Sequence, residues 1–242
     1  MDSNYREYKH IDSFARIDEI LKQPSTNFEE KQSLPDRDAL TYTNGFYAYC
    51  SAMFVDIRDS SKLPDIYNRP ALAKLYRAFI SEMVSIMNGN AKAREINIVG
   101  DCVWGVFNTP SKSDIDEAFS MAARANSLLK VLNYKLLKKD YKTPVQVGIG
   151  MSYGRALVIK AGANGSGIAD VVYMGDVVNQ ASKLAAAAGG AKVSAPIAMD
   201  GVSRQNLSES HKGMTTHNST YSFYTADVMN TAMNDWYKEN CK

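Results

Sequence analysis

The sequence predicts an α+β sandwich built on a ferredoxin-like βαββαβ unit, with extra strands and helices towards the carboxy terminus. Three observations carry this expectation. Two long segments, Pro64 to Met87 and Ser113 to about Lys139, repeat apolar residues at helical spacing, the pattern of a helix with one buried face. Four short apolar runs, Met53 to Ile57, Glu95 to Val99, Cys102 to Phe107 and Val145 to Met151, have the length and side-chain type of strands. Their order of strand, helix, hairpin, helix, strand is that of the split βαβ unit, an antiparallel sheet under a pair of helices.

Taken in order, residues 1–48 are mixed and polar, interrupted by Pro24, Pro35 and the turn signal Thr43-Asn44-Gly45, and read as an N-terminal arm or cap. Within them a short helix is expected over Ile11 to Gln23, with Ile11, Phe14, Ile17, Ile20 and Leu21 on one face. Residues 49–242 read as one domain. Its first strand leads through Asp59-Ser60-Ser61 into the first long helix, where Leu72, Leu75, Phe79, Met83 and Ile86 share a face and Pro70 marks a kink or a late start. Gly100-Asp101 forms the tip of the hairpin. Ser111 or Ser113 caps the second long helix, whose core stripe runs Ile115, Phe119, Ala122, Ala125, Leu128, Leu129, Leu132.

After Val145 to Met151 the pattern predicts a separate short run, Arg155 to Ile159, and a mobile glycine-rich loop, Ala161 to Gly167. That loop is no P-loop, because no helix follows it at once and no GK[ST] is present. Tyr173 to Leu184 reads as a turn opening a helix that ends at Gly189-Gly190. Short strands are expected at Lys192 to Ser194 and Tyr221 to Ala226, and a terminal helix at Val228 to Tyr237.

Composition narrows the classes. A chain of 242 residues with 45% apolar content can fill one substantial core. Its 28 basic and 26 acidic residues leave a net charge of +2 and no basic run, which argues against a nucleic-acid partner. The opening MDSNYREYKHIDSF lacks the apolar centre of a signal peptide, and no stretch reaches the roughly 20 apolar residues of a membrane span, so a cytoplasmic protein is expected. Cys50, Cys102 and Cys241 show no metal or disulfide spacing, and none of the three histidines lies beside a nucleophile motif.

The chemistry lies in acids at strand ends. Asp56 follows Met-Phe-Val, and Asp101 stands at the hairpin tip, where neither packing nor turn chemistry requires a carboxylate. Two such acids on adjacent strand ends can together hold divalent cations.

In this order FVDIRDSS, INIVGDCVWGVF, VGIGMSYGRA and YMGDVVNQASKLA, spread over residues 51 to about 190, resemble the metal-binding strand and loop, the metal hairpin, the following strand and turn, and the transition-state helix of class III nucleotide cyclases. The resemblance implies a nucleoside triphosphate substrate and two divalent cations, Mn²⁺ or Mg²⁺, held by Asp56, Asp101 and the Ile57 carbonyl. It implies that Ser60 and Ser61 offer backbone N–H groups to phosphate, that Arg155 contacts phosphate, that Asn179 positions the ribose and that Lys183 faces the α-phosphate. Lys183 stands where the family usually has arginine, keeping the charge but losing the fork. Asp59 stands where glycine is usual. Lys212 has only a thin match and reads as a solvated lysine.

At the base-selecting positions, purine cyclases of this family carry lysine with aspartate or threonine, or glutamate with cysteine. This chain has Asn97 and Val172, a pattern similar to the pyrimidine nucleotide cyclases of bacterial Pycsar antiphage systems. Asn97 can face uracil O4 and N3–H or, flipped, cytosine N4 and N3. Phe54 either narrows the pocket or packs inward as a core residue. The resemblance further implies a head-to-tail homodimer, no membrane partner, and a separate effector protein that reads the cyclic nucleotide. Two other readings compete: a purine cyclase with an altered pocket, and a catalytically silent nucleotide-binding dimer module.

Overall fold

The computed structural model describes residues 4–242. Helix α1 (His10–Leu21) leads to the three-residue strand β1 (Phe28–Glu30) and then to β2 (Gly45–Ile57). The predicted helix is present, but its apolar face is not turned to the core: Ile11, Phe14, Ile17, Ile20 and Leu21 are all exposed. β2 begins well before the predicted Met53, because its first residues pair with β1 on one side and with a long partner strand on the other.

The first predicted long helix divides in two, α2 (Leu63–Ile66) and α3 (Arg69–Asn88). Pro70 thus marks a late start: it occupies the first turn of α3, where its missing N–H costs nothing, and the Asn68 side chain caps the Ala71 N–H. The hairpin follows as β3 (Ala93–Val99) and β4 (Cys102–Phe107), with Gly100 at φ 62°. Ser111, rather than Ser113, caps α4 (Lys112–Leu137) in a reciprocal capping box with Asp114.

Beyond α4 the structure departs further from the periodicity. Strand β5 (Val147–Ala163) runs unbroken through Gly154, joining two predicted runs and part of the predicted loop. It does so because β2 offers a ladder along most of its length, from Ile57 opposite Val147 to Gly45 opposite Ile159. The glycine-rich segment contracts to the turn 164–167, which returns the chain as β6 (Ile168–Met174), a strand the sequence reading missed. α5 (Asp176–Ala187) is followed by no strand at Lys192 to Ser194. Gly189 (φ 66°) and Gly190 bond there to Ala195 and Val193 in a tight turn, and the strand is β7 (Ile197–Met199). α6 (Gly201–Asn206), α7 (Glu209–Lys212), β8 (Thr216–Asn218), β9 (Phe223–Ala226) and α8 (Thr231–Asn240) complete the chain.

The strands form one mixed sheet in the order β3-β4-β2-β5-β7-β9-β8, with β1 on β2 and β6 on β5. Its first four members reproduce the ferredoxin-like arrangement. On one face Met53, Val55 and Ile57 meet Leu75, Phe79 and Met83 of α3 and Ile115, Phe119 and Leu129 of α4. On the other, Phe46, Ala48, Cys50 and Ala52 meet Val177 and Ala181 of α5, together with Leu34 and Leu40 from the N-terminal segment.

α5 lies unusually close to the sheet. A Cβ added at Gly148 or Gly150 would stand 2.0 Å from the carbonyl oxygen of Ala185 or Ala181, so only glycine lets this helix seat. Gly150→Ala should therefore push α5 outward at a cost of about 2 kcal/mol, lowering Tm by about 5 °C. A thermal melt followed by circular dichroism checks this.

Candidate active site

Asp56 and Asp101 meet through strand register. Asp56 pairs with Cys102 of β4, so the residue before Cys102, at the hairpin tip, lies beside it. Pleat alternation puts Asp56 on the α5 side of β2, the face opposite the α3–α4 core. Burial raises the Asp56 carboxyl above the ordinary range, the charge of Asp101 adds to this, and Arg58 opposes it. Burial likewise pushes the Cys102 thiol up to about 12, with the two aspartates contributing.

Asp101 Oδ2 is buried and has no hydrogen-bond partner, a costly state for a carboxylate oxygen. A cation shared with Asp56 would satisfy it. Among the described residues no three His, Cys, Asp or Glu side chains cluster for metal, so such a cation would rest on these carboxylates and backbone oxygen. Ile57, the buried last residue of β2, carries the nearest candidate carbonyl in sequence. The donor set is hard oxygen, which suits Mg²⁺ or Mn²⁺.

The loop that follows explains Asp59. Its φ of 54° is left-handed, a conformation glycine adopts freely and aspartate tolerates. Its side chain is exposed and paired with Lys62 at 3.1 Å. Ser60 and Ser61 open the 3₁₀ turn Ser60–Lys62 directly after it.

On the same face as Asp56, Phe54 stacks on Trp104 at 5.1 Å with their rings 3° from parallel, and Trp104 stands opposite Asn97 in the β3–β4 register. Phe54, Trp104 and Asn97 thus form a row across three strands, one pleat away from Asp56. Phe54 is half-buried against Trp104 rather than lost in the α3–α4 core. Trp104 was missed from the sequence, although counting outward from Gly100-Asp101 pairs it with Asn97.

The remaining candidates are not brought to the aspartates within one chain. Asn179 and Lys183 are exposed, one helical turn apart, on the α5 face directed away from the buried Val177, Ala181 and Leu184. Val172 pairs with Ile159, whereas Asp56 is opposite Gly148, eleven residues or about 36 Å earlier along β5. Arg155 is likewise distant from Asp56 in its own chain. It lies seven residues beyond Gly148, about 23 Å of extended strand, pairs with Glu30 and covers the Tyr47 ring at 4.0 Å. The pleat turns Arg155 to the same face as Tyr49 and away from that of Asp56.

Known proteins share this architecture. The adenylyl cyclase CyaB from P. aeruginosa matches with a TM-score of 0.62 at 24% identity, covering 72% of this chain and 85% of that one. A class III adenylyl cyclase-like ATP-binding protein from Pseudomonas aeruginosa matches with a TM-score of 0.70 at 17% identity over 94% of this chain and 50% of that one. Closer in sequence is a protein named uridylate cyclase from Gulbenkiania mobilis, 41% identical over 99% of this chain and all of its own length. Another of that name, from Treponema porcinum, is 36% identical over 95% of this chain and 80% of its own. Residues 44–217 match the adenylate and guanylate cyclase catalytic domain. With the split βαββαβ sheet and its pair of strand-end aspartates, this match makes the chain a member of the class III nucleotide cyclases, the adenylate and guanylate cyclase catalytic-domain family.

Proposed function

We propose that this chain cyclises UTP to 3′,5′-cyclic UMP and pyrophosphate, using two divalent cations at Asp56 and Asp101. In this reading it is a cytoplasmic enzyme whose product serves bacterial antiphage defence through a separate effector protein. The observation that carries the site is the buried, partnerless Asp101 Oδ2 beside Asp56. Support for the base comes from the two relatives named uridylate cyclase, which align over nearly the whole chain. Asp56 and Asp101 would hold the divalent cations, which would supply a lowered pKa for the ribose 3′-hydroxyl and charge to offset the pyrophosphate.

Each protein group then has a task. The Ile57 carbonyl completes the oxygen set, and the Ser60 and Ser61 N–H groups face phosphate. The Asn97 amide reads uracil O4 and N3–H, with Phe54 and the adjoining Trp104 limiting the width of the pocket, and Val172, paired too far along β5 to reach its own Asp56, offers an apolar wall from a second copy of this chain. Asn179 orients the ribose, and Lys183 meets charge on the α-phosphate. Because Asn179 and Lys183 lie on the outer face of α5 while Asp56 lies against the sheet, we assign them to the site of a second copy of this chain. Residues 49–242 form the catalytic unit in this account, and the segment before them braces it through the β1 pairing and buried Leu34 and Leu40. Among the described residues no helix is long and apolar enough to cross a membrane.

Purified protein incubated with each of the four ribonucleoside triphosphates and Mn²⁺ should yield cyclic UMP as the main product by mass spectrometry. Dominant cyclic CMP or cyclic AMP would overturn the uracil assignment, and no product from any of them would favour a silent binding module. Asp56→Ala should lower kcat by at least about a hundredfold while leaving the circular dichroism spectrum unchanged.

The shared site has its own test. Asp56→Ala and Lys183→Ala should each be inactive alone, yet an exchanged mixture should recover about a quarter of wild-type turnover, since half its dimers carry one intact site. No recovery after verified subunit exchange would place both residues in one chain's site.

A further inference from the structure

Arg58 has no part in the chemistry assigned above, yet it is fixed at the Asp56 carboxylate. Its Nη2 donates to Asp56 Oδ2 at 2.6 Å, and its Nη1 donates to the Ala186 carbonyl in the last turn of α5 at 2.8 Å. The backbone N–H of Arg58 bonds to the Gln146 carbonyl at 2.8 Å, extending the sheet edge beyond β2. Only 16% of its side chain is exposed. Arg58 Nε is buried with no partner. The guanidinium therefore does not form the two-pronged pair in which arginine holds carboxylate most firmly. It makes one bond to Asp56 and uses its other arm on the helix.

The charges have a consequence. Asp56 and Asp101 bring two negative charges together, and Arg58 offsets one of them. Resting on the two-metal reading, we propose that Arg58 is the resident counter-ion of the site, holding Asp56 Oδ2 until a divalent cation that uses this oxygen displaces it. Arg58 is then a positioning residue. The single bond to Asp56 is the one that yields, while the bond to Ala186 keeps the side chain in place. Hydrogen bonding makes the two aspartates unequal: buried Asp101 Oδ2 has no partner, whereas Asp56 Oδ2 is already taken by Arg58.

Titration of nucleotide-free protein with Mn²⁺, followed by the electron paramagnetic resonance of the free ion, reads this directly. Arg58→Gln should bind Mn²⁺ about tenfold tighter than wild type. A partner that merely orients Asp56 gives the opposite sign, weakening binding by about ten- to a hundredfold, and either weakening or unchanged affinity overturns the inference. Arg58→Lys keeps the charge but cannot span Asp56 and Ala186 together, so its affinity should fall between the two; this variant decides if Arg58→Gln does not fold. Asp101→Asn separates the two ideas. Binding lost in Asp101→Asn but unchanged in Arg58→Gln sinks the counter-ion role alone, whereas identical binding in all variants sinks the metal reading with it.

Discussion

The ladder between β2 and β5 is the constraint on which the rest depends. It runs from Gly45 opposite Ile159 to Ile57 opposite Val147, and no residue along it can change face without a shift of register. Odd-numbered Met53, Val55 and Ile57 are thereby committed to the α3–α4 core, and Phe54 and Asp56 to the α5 side. A carboxylate two residues from a half-buried phenylalanine stack is placed by backbone hydrogen bonding rather than by any preference of its own. β4 then pairs along the other edge of β2 and delivers Asp101 to Asp56.

That α5 can share this face with Asp56 follows from missing side chains. Gly148 and Gly150 let the helix backbone descend onto the sheet, and its contacting residues Ala181 and Ala185 are themselves small. At the C-terminal end Gly189, at φ 66°, turns the chain where a Cβ would stand 1.9 Å from the Val147 carbonyl oxygen. A helix held so close leaves its outer face free for polar residues. Asn179 and Lys183 occupy that face, directed away from the domain that carries them.

Charge at the site is held in an unfinished state. Partial burial, and then the charge of Asp101, push the Asp56 carboxyl above its ordinary range. Arg58 relieves part of the strain from within the chain, and Asp101 Oδ2 remains without a donor. A fold selected for stability alone has no reason to keep this arrangement. Asp59 shows the reverse economy: its left-handed backbone makes the turn after β2, and its charge is disposed of in solvent beside Lys62.

Much of this was legible in the order of residues. The helical stripes of α3 and α4, the β3–β4 hairpin and the first half of β5 follow from local periodicity and turn chemistry, and so do the two aspartates at strand ends. What failed did so for reasons outside the local pattern: Lys192 to Ser194 is taken up in the turn that Gly189 and Gly190 close onto Ala195 and Val193, while β5 runs past Gly154 because β2 continues beside it. The exposed apolar face of α1 has the period of a buried one, and nothing in the sequence says that the body of the protein stays clear of it. Arg155 faces away from Asp56 in its own chain, and Trp104 and Arg58, which lay inside the matched motifs without a role of their own, stand beside the site. Local sequence was enough for the long helices, the hairpin and the residue types that are chemically expensive, but not for β6 or the full length of β5. Tertiary structure alone decided which of them meet, because side-chain direction in a strand is set by register with a partner distant in the chain, and register is a property of the pair.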